Sequence, residues 1–502
     1  MIRSTDDLPG GSSMWSLPGW MVTLLLVAVP LACYLSLIGS WSLDRDEYHT
    51  LVDSSKPLSE LLSYDIRPLY YLILHPLLKA GLPWSREFTM RLPAALFASL
   101  VPAVFFEFLR RSPSPRIAPY AALLALVSPW TFELSQYARY YSLMLLAASI
   151  ATLAIYRWWE ERHWRWLALF LGAAFAATIS HTTAASLFPA TIVAVALALG
   201  REDPRRTLML LRRYGIPGAL VAALGLIGGG LVIRNQFLFW LSKDAGQYGG
   251  YSVPQLYLGL CLGGGASAWI LAVVPWLLGR DRQASTLLLV ALVVMALLPV
   301  TLLALIGRGG GVAVRYLMCC LPAVWILAAR QWHLLATNLP RFEQRCVVTL
   351  MIISVNVPFL LSTLQDGDHY DYRSAAAFID GRLKSPALVL GSSPNTLEIY
   401  LRTPIQVVEL PEIGSLAFRD VVGQSIQRAA SEGRSLLMLV KLDRFALSAG
   451  DQDWLSDRFA VLRVFEKPRY DYRRNRLVVY QHRPSSEAPG AGPQGSDEAP
   501  VP

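Results

Sequence analysis

Long stretches almost free of charged side chains recur through the first three quarters of the chain and limit its fold more than any other feature. Runs of about 17–25 apolar residues are long enough to cross a hydrocarbon core about 30 Å thick. Such runs lie at 20–38, 92–109, 117–132, 140–156, 214–233, 253–278, 284–307, 312–329 and 346–364. Between Arg165 and Arg201 stand 35 uncharged residues, more than one straight span can use. They read as two short spans, 166–180 and 182–200, turning near Ser180-His181-Thr182. The sequence therefore predicts a polytopic α-helical membrane protein with about 11 transmembrane helices. A composition of 54% hydrophobic and 16% charged residues excludes an ordinary soluble enzyme, for which about 45–50% and about 25% are usual.

Arginine sets the orientation. With the N-terminus (1–19) cytoplasmic, Arg110, Arg111 and Arg116, then Arg157, Arg162 and Arg165, then Arg201 to Arg213, then Arg280 and Arg282, then Arg330, Arg341 and Arg345 all fall on the inner side. The long first loop and the C-terminal region then lie outside. That loop, 41–67, carries six acidic residues against Arg45, Lys56 and Arg67. The net charge of +9 is thus mostly sorted by membrane side, which argues against a nucleic-acid partner. Segment 68–78 is apolar but too short to cross. It reads as lying along or dipping into the outer interface, with Tyr70 and Tyr71 at headgroup level, or as the start of a longer tilted span.

The sequence divides into a membrane domain, 20–364, whose first outer region spans 41–90, and an outer domain, 365–483. Short aliphatic runs at 386–391, 405–410, 435–442, 459–465 and 476–481 alternate with helix-compatible stretches there, the pattern of a small α/β domain. From 484 to 502, Pro, Gly, Ser, Glu and Ala dominate, a disordered composition. The five cysteines have neither disulfide-framework nor zinc-ligand spacing. Gly263-Gly264-Gly265 and Gly309-Gly310-Gly311 lack the strand, helix and lysine of a phosphate loop.

Three clusters on the outer side carry candidate chemistry. Asp44, Asp46 and Glu47 directly follow the first span; taken alone, they fit a helix cap as well as a reaction site. Gln136 and Arg139 end the third span, where an arginine defies the charge rule and can grip a phosphate with two N–H groups. Arg315 and Tyr316 stand a few residues into an apolar segment, and an ionisable residue within a span is a site hypothesis. For either arginine, snorkelling to outer-leaflet headgroups is the alternative. His181 at an outer turn could satisfy local backbone or touch a ligand. Asp371, Tyr372 and Arg373 fit a capped helix start or a lining for acceptor entry.

In order and spacing these residues resemble the integral-membrane glycosyltransferases of fold class C, in the branch of the protein O-mannosyltransferases and the lipid A aminoarabinose transferase. The resemblance runs through Asp46-Glu47, then Pro68-Leu69-Tyr70-Tyr71 with His75, then Arg91-Leu92-Pro93, then Ser128-Pro129. It continues in Ser135-Gln136, Ala138-Arg139 and Tyr141, His181, and Arg315-Tyr316 with Pro322, over roughly residues 20–330. Arg67 and Tyr137 depart from the family pattern.

The resemblance implies an inverting transfer of a sugar from a polyprenyl-phosphate donor to an acceptor hydroxyl outside the membrane, in a bacterial inner membrane. It implies Asp46 as general base, with Glu47 as its catalytic partner or as a group placing the loop, a metal or the acceptor. Arg139, Arg315 and Tyr316 would bind the donor phosphate, and Asp44, Tyr70, Tyr71, Gln136 and His181 would position substrate. Some relatives use a divalent metal and others none; the three carboxylates here, Asp44, Asp46 and Glu47, could hold one, with Asp46 and Glu47 the first candidates. The partners implied are membrane lipids, the lipid-linked sugar and a lipid, glycan or protein acceptor. A transporter or flippase of lipid-linked sugars is the alternative, and it would place charged or broken spans near the bilayer midplane.

Overall fold

A computed structural model describes residues 17–63, 68–205, 208–209, 252–277, 283–305, 313–366, 370–382, 387–403, 405, 407–411, 416–441, 449–467 and 475–483. The span expected at 214–233 lies outside them. Seven described helices are long and apolar enough to cross a membrane, or eight with one bent pair counted as a span. The protein is an integral, polytopic helical membrane protein.

The N-terminal part comprises α1 (Gly19–Leu37), α2 (Arg45–Ser55), α3 (Leu58–Leu62), α4 (Pro68–Lys79), α5 (Arg86–Arg110), α6 (Ala118–Leu126), α7 (Pro129–Ser135), α8 (Tyr141–Glu161), α9 (Trp164–Ser180) and α10 (Leu187–Glu202). Helices Val253–Leu277, Ala284–Leu305 and Leu321–Asn338 follow, the last entered through a 3-10 turn, Val314–Cys320. α8 is the hub: Ala147, Ala148, Ala151 and Ala154 let neighbouring helices approach closely, and nearly all its residues are buried.

Three expectations change. The straight span foreseen at 117–132 is broken by 56° between α6 and α7. Pro129 explains it: the residue before a proline avoids helical backbone, and Ser128 is extended, with ψ 122°. The break hands the chain to Gln136–Tyr140. The segment 346–364 likewise divides into helices Phe342–Ser354 and Val357–Asp366. At the break, the Asn356 amide donates to Ser267 Oγ (3.1 Å) beside Gly265, whose φ of 102° kinks helix Val253–Leu277. Lastly, α4 turns Tyr70, Tyr71 and Leu74 into the protein, so these side chains face other helices rather than lipid. The Tyr70 hydroxyl finds its partner inside, donating to the Met90 carbonyl (3.2 Å).

The C-terminal part is a five-stranded sheet, β1 (Ala387–Gly391), β2 (Val407–Glu409), β3 (Ser435–Lys441), β4 (Phe459–Lys467) and β5 (Asn475–His482), in the order β2-β1-β3-β5-β4. β1 runs parallel to β2 and β3; β5 runs antiparallel to β3 and β4. Alternate residues of β1 and β3 feed opposite cores, Leu388, Leu390, Leu436 and Met438 on one face and Val389, Leu437 and Leu439 on the other. That double burial explains their continuous apolar runs.

Candidate active site

The loop after α1 turns into α2 through a reciprocal cap. Asp44 Oδ1 accepts from the Glu47 N–H (2.9 Å) and Glu47 Oε2 accepts from the Asp44 N–H (3.1 Å). This cap sorts the two neighbouring acids. Glu47 is wholly buried and its oxygens take four N–H donors: Arg91 Nε (2.8 Å) and the Ala138 N–H (2.7 Å) on Oε1, Arg91 Nη2 (2.7 Å) and the Asp44 N–H on Oε2. Arg91, fully buried on α5, also donates to the carbonyls of Ile38 (3.1 Å), Trp41 (2.8 Å) and Ser42 (2.8 Å). Glu47 and Arg91 thus bind α2, α5 and the turn after α7 into one joint.

Asp46, one residue earlier, faces the other way, with its side chain 37% exposed against none for Glu47. Its Oδ2 accepts from Arg315 Nη2 (3.0 Å) and from the Tyr137 hydroxyl (3.0 Å), which stands 3.2 Å from Asp44 Oδ2. Arg139 reaches the same place from below, donating through Nη1 to the Asp46 carbonyl (3.0 Å) and to Thr50 Oγ1 (3.0 Å). Both guanidiniums rest on aromatic faces, Arg139 over Tyr140 (4.8 Å) and Arg315 over Tyr141 (5.1 Å) and Tyr137 (5.4 Å). Among the described residues, neither buried Nε of these arginines has a hydrogen-bond partner.

Tyr316 stacks on His181 at 4.9 Å, and His181 on Tyr140 at 5.3 Å, forming an aromatic wall beside the arginines. His181 has extended backbone at the end of α9, and its Nδ1 lies 2.7 Å from Thr183 Oγ1. Gln136 faces elsewhere, donating to the Tyr34 carbonyl (2.9 Å) and Ser135 Oγ (3.1 Å). Asp44, Asp46, Arg139, Arg315, Tyr316 and His181 therefore converge, whereas Glu47, Tyr70 and Gln136 are bound into the framework; Tyr71 is buried beside them. As a metal pair, Asp46 and Glu47 do not fit: one carboxylate is turned inward and saturated by N–H donors, the other is paired with Arg315. No group of three metal-ligating side chains occurs among the described residues.

Arg91, Tyr137 and Thr50 were not singled out for roles by their sequence. Arg91 carried a usable signal, a charge five residues into an apolar helix. Tyr137 and Thr50 carried none.

Burial, and the facing Asp46 and Glu47 carboxylates, push Asp44 up to about 6. A carboxyl raised in the folded state favours folding at low pH, so its contribution falls as pH climbs from about 3.9, the usual unfolded value, towards about 6. Activity that needs the ionised cluster runs the opposite way, lost as pH falls through about 6. In Asp44→Asn the facing charge is gone, and the acid limb of kcat/KM against pH should move lower. A limb left in place by the substitution removes Asp44 from the titrating pair.

The fold is that of the integral-membrane glycosyltransferases of fold class C, and the chain resembles their protein O-mannosyltransferase and aminoarabinose transferase branch. Residues 78–227 match the family profile described as dolichyl-phosphate-mannose-protein mannosyltransferase. ArnT from Cupriavidus metallidurans in the apo state superposes with a TM-score of 0.52 at 16% identity, covering 94% of this chain and 99% of that one. The apo oligosaccharyltransferase of Archaeoglobus fulgidus gives 0.50 at 11% identity, covering 90% and 74%. No curated protein sequence matches the chain.

Proposed function

We propose that this protein is an inverting glycosyltransferase that moves a sugar from a polyprenyl-phosphate donor to an acceptor hydroxyl on the extracytoplasmic face of a bacterial inner membrane. The observation that carries this reading is one partly exposed carboxylate, Asp46, flanked by two arginines, Arg139 and Arg315, whose buried Nε groups have no hydrogen-bond partner among the described residues. Buried N–H groups left without acceptors are costly, and a phosphate ester supplies acceptors in the fork geometry that guanidinium prefers. The family profile matched by 78–227 is named for a lipid-phosphate sugar donor, which agrees.

In this mechanism the donor phosphate lies against Arg139 and Arg315 and draws Arg315 away from Asp46. Asp46 accepts the proton of the acceptor hydroxyl as its oxygen bonds to the anomeric carbon. The bond from that carbon to the phosphate oxygen breaks, its electron pair leaving with the phosphate, and the configuration inverts. Arg139 and Arg315 stabilise the charge that grows on the leaving oxygen. A phosphate departs as a stable anion, so one carboxylate suffices where glycosidases need two. The basic inner loops and acidic first outer loop support placing residues 41–90 and the C-terminal domain outside, on a bundle of about eleven spans.

The test is transfer by the full-length protein in proteoliposomes, from a radiolabelled polyprenyl-phosphate sugar to extracted envelope lipids, glycans and proteins. Arg315→Ala should raise the donor KM about 10- to 100-fold, the worth of a charged hydrogen bond of about 1.5–3 kcal/mol. Absence of any transfer, or an unchanged donor KM in Arg315→Ala, would sink the assignment.

A further inference from the structure

The loop that presents Asp46 is held on two sides. On the membrane side Arg91 grips the carbonyls of Ile38, Trp41 and Ser42. On the outer side the grip comes from the C-terminal domain, more than three hundred residues away in sequence. The Leu43 N–H donates to the Tyr400 hydroxyl oxygen (2.6 Å), and that hydroxyl donates to Glu87 Oε1 (3.0 Å). Arg373 Nη2 donates to the same Glu87 oxygen (2.7 Å) and to the Gly39 carbonyl (3.2 Å), while the Arg373 backbone N–H donates to Ser42 Oγ (3.0 Å). Glu87 stands one helical turn before Arg91 on α5, so both grips are anchored to one helix.

Leu43 is fully buried and immediately precedes Asp44, the cap of α2. Buried backbone polar groups need partners; here the partner of one is a side chain of the appended domain. The same domain packs Ile399 and Tyr400 against Leu43, Leu51 and Ala138, bridging α2 and the segment that carries Arg139. We propose that Tyr400 and Arg373 are positioning residues for Asp46, so that the outer domain completes the active site rather than merely standing beside it. This rests on the transferase reading above, in which Asp46 must meet an acceptor hydroxyl within hydrogen-bond reach. A displacement of about 1 Å at such a group can cost about 100-fold in rate. Arg315 is carried on a segment outside this cluster, so the deficit should fall mainly on kcat.

The experiment uses the full chain in proteoliposomes, comparing wild type, Tyr400→Phe, Glu87→Gln and the double variant. Tyr400→Phe should lower kcat about tenfold or more, with donor KM within about twofold and the melting temperature lowered by only a few degrees, the cost of one unpaired buried N–H. The double variant should lose no more than the worse single one, since both remove members of one network. A kcat within about twofold of wild type, losses that multiply, or losses that track melting temperature would overturn the proposal. Hydrogen exchange at residues 42–50 supplies a readout independent of chemistry. Faster exchange there in Tyr400→Phe supports the positioning role and unchanged exchange refutes it, even if wild type transfers no sugar, a result that would count against the transferase reading alone.

Discussion

Asp46→Asn should abolish sugar transfer while the protein accumulates, inserts and melts as wild type does. Asparagine has the same shape and can still accept from Arg315 and Tyr137, so the local packing survives. What it cannot do is take a proton, and loss of a positioned general base typically costs about 10²–10⁴-fold in rate. Both partners of this pair reach solvent, Asp46 with 37% and Arg315 with 19% of its side chain exposed, so removing the charge leaves no fully enclosed cation stranded. The measurement is initial transfer rate at saturating donor, beside a donor-binding assay. Binding kept and turnover lost is the expected pair of results; turnover within about tenfold of wild type would assign the base elsewhere.

Arg91→Met should have the largest effect on the fold. Removing one partner of a buried ion pair strands the other, at about 3–5 kcal/mol, set against a total stability of about 5–15 kcal/mol for a typical protein. Here the stranded group is Glu47, fully enclosed, and three carbonyls of the preceding loop lose their donor as well. Folded protein in the membrane fraction should fall steeply and the melting temperature with it. Adding Glu47→Gln to Arg91→Met should recover part of the loss, because an amide is cheaper to bury than a carboxylate. Two independent, additive losses would mean that the pair is not a unit.

How much of this was legible beforehand depends on the range over which each feature is determined. Span lengths are a local property, so the helical membrane fold could be read directly. Arg139 and Arg315 stood out because a charge near the expected outer end of an apolar segment conflicts with the expected sorting of arginine. Arg91 shared the signal yet has a framework role, since sequence alone does not say whether a carboxylate or a ligand answers a buried guanidinium. Asp46 and Glu47 looked alike as neighbours; only the helical turn after Asp44, which points successive side chains about 100° apart, separates them. The bend at Pro129 was written in a single residue and outweighed by the apolar run around it. The apolar runs over β1 and β3 were readable because both faces of those strands are buried. The contacts of Tyr400 and Arg373 with Glu87 and Leu43 had no such signal. They join segments by tertiary geometry, with no spacing or composition to mark them.

The seam between the two parts of the molecule bears on how such proteins can be recombined. Because Gly39, Ser42, Leu43 and Glu87 on one side answer Arg373 and Tyr400 on the other, replacing the C-terminal domain of this chain at a cut near residue 370 alone would break these contacts. A workable exchange would carry a docking set, the short loop around residues 39–43 and the first turn of α5, along with the C-terminal third. The units of inheritance then differ from the units visible as domains: a piece of the membrane bundle travels with the module outside it.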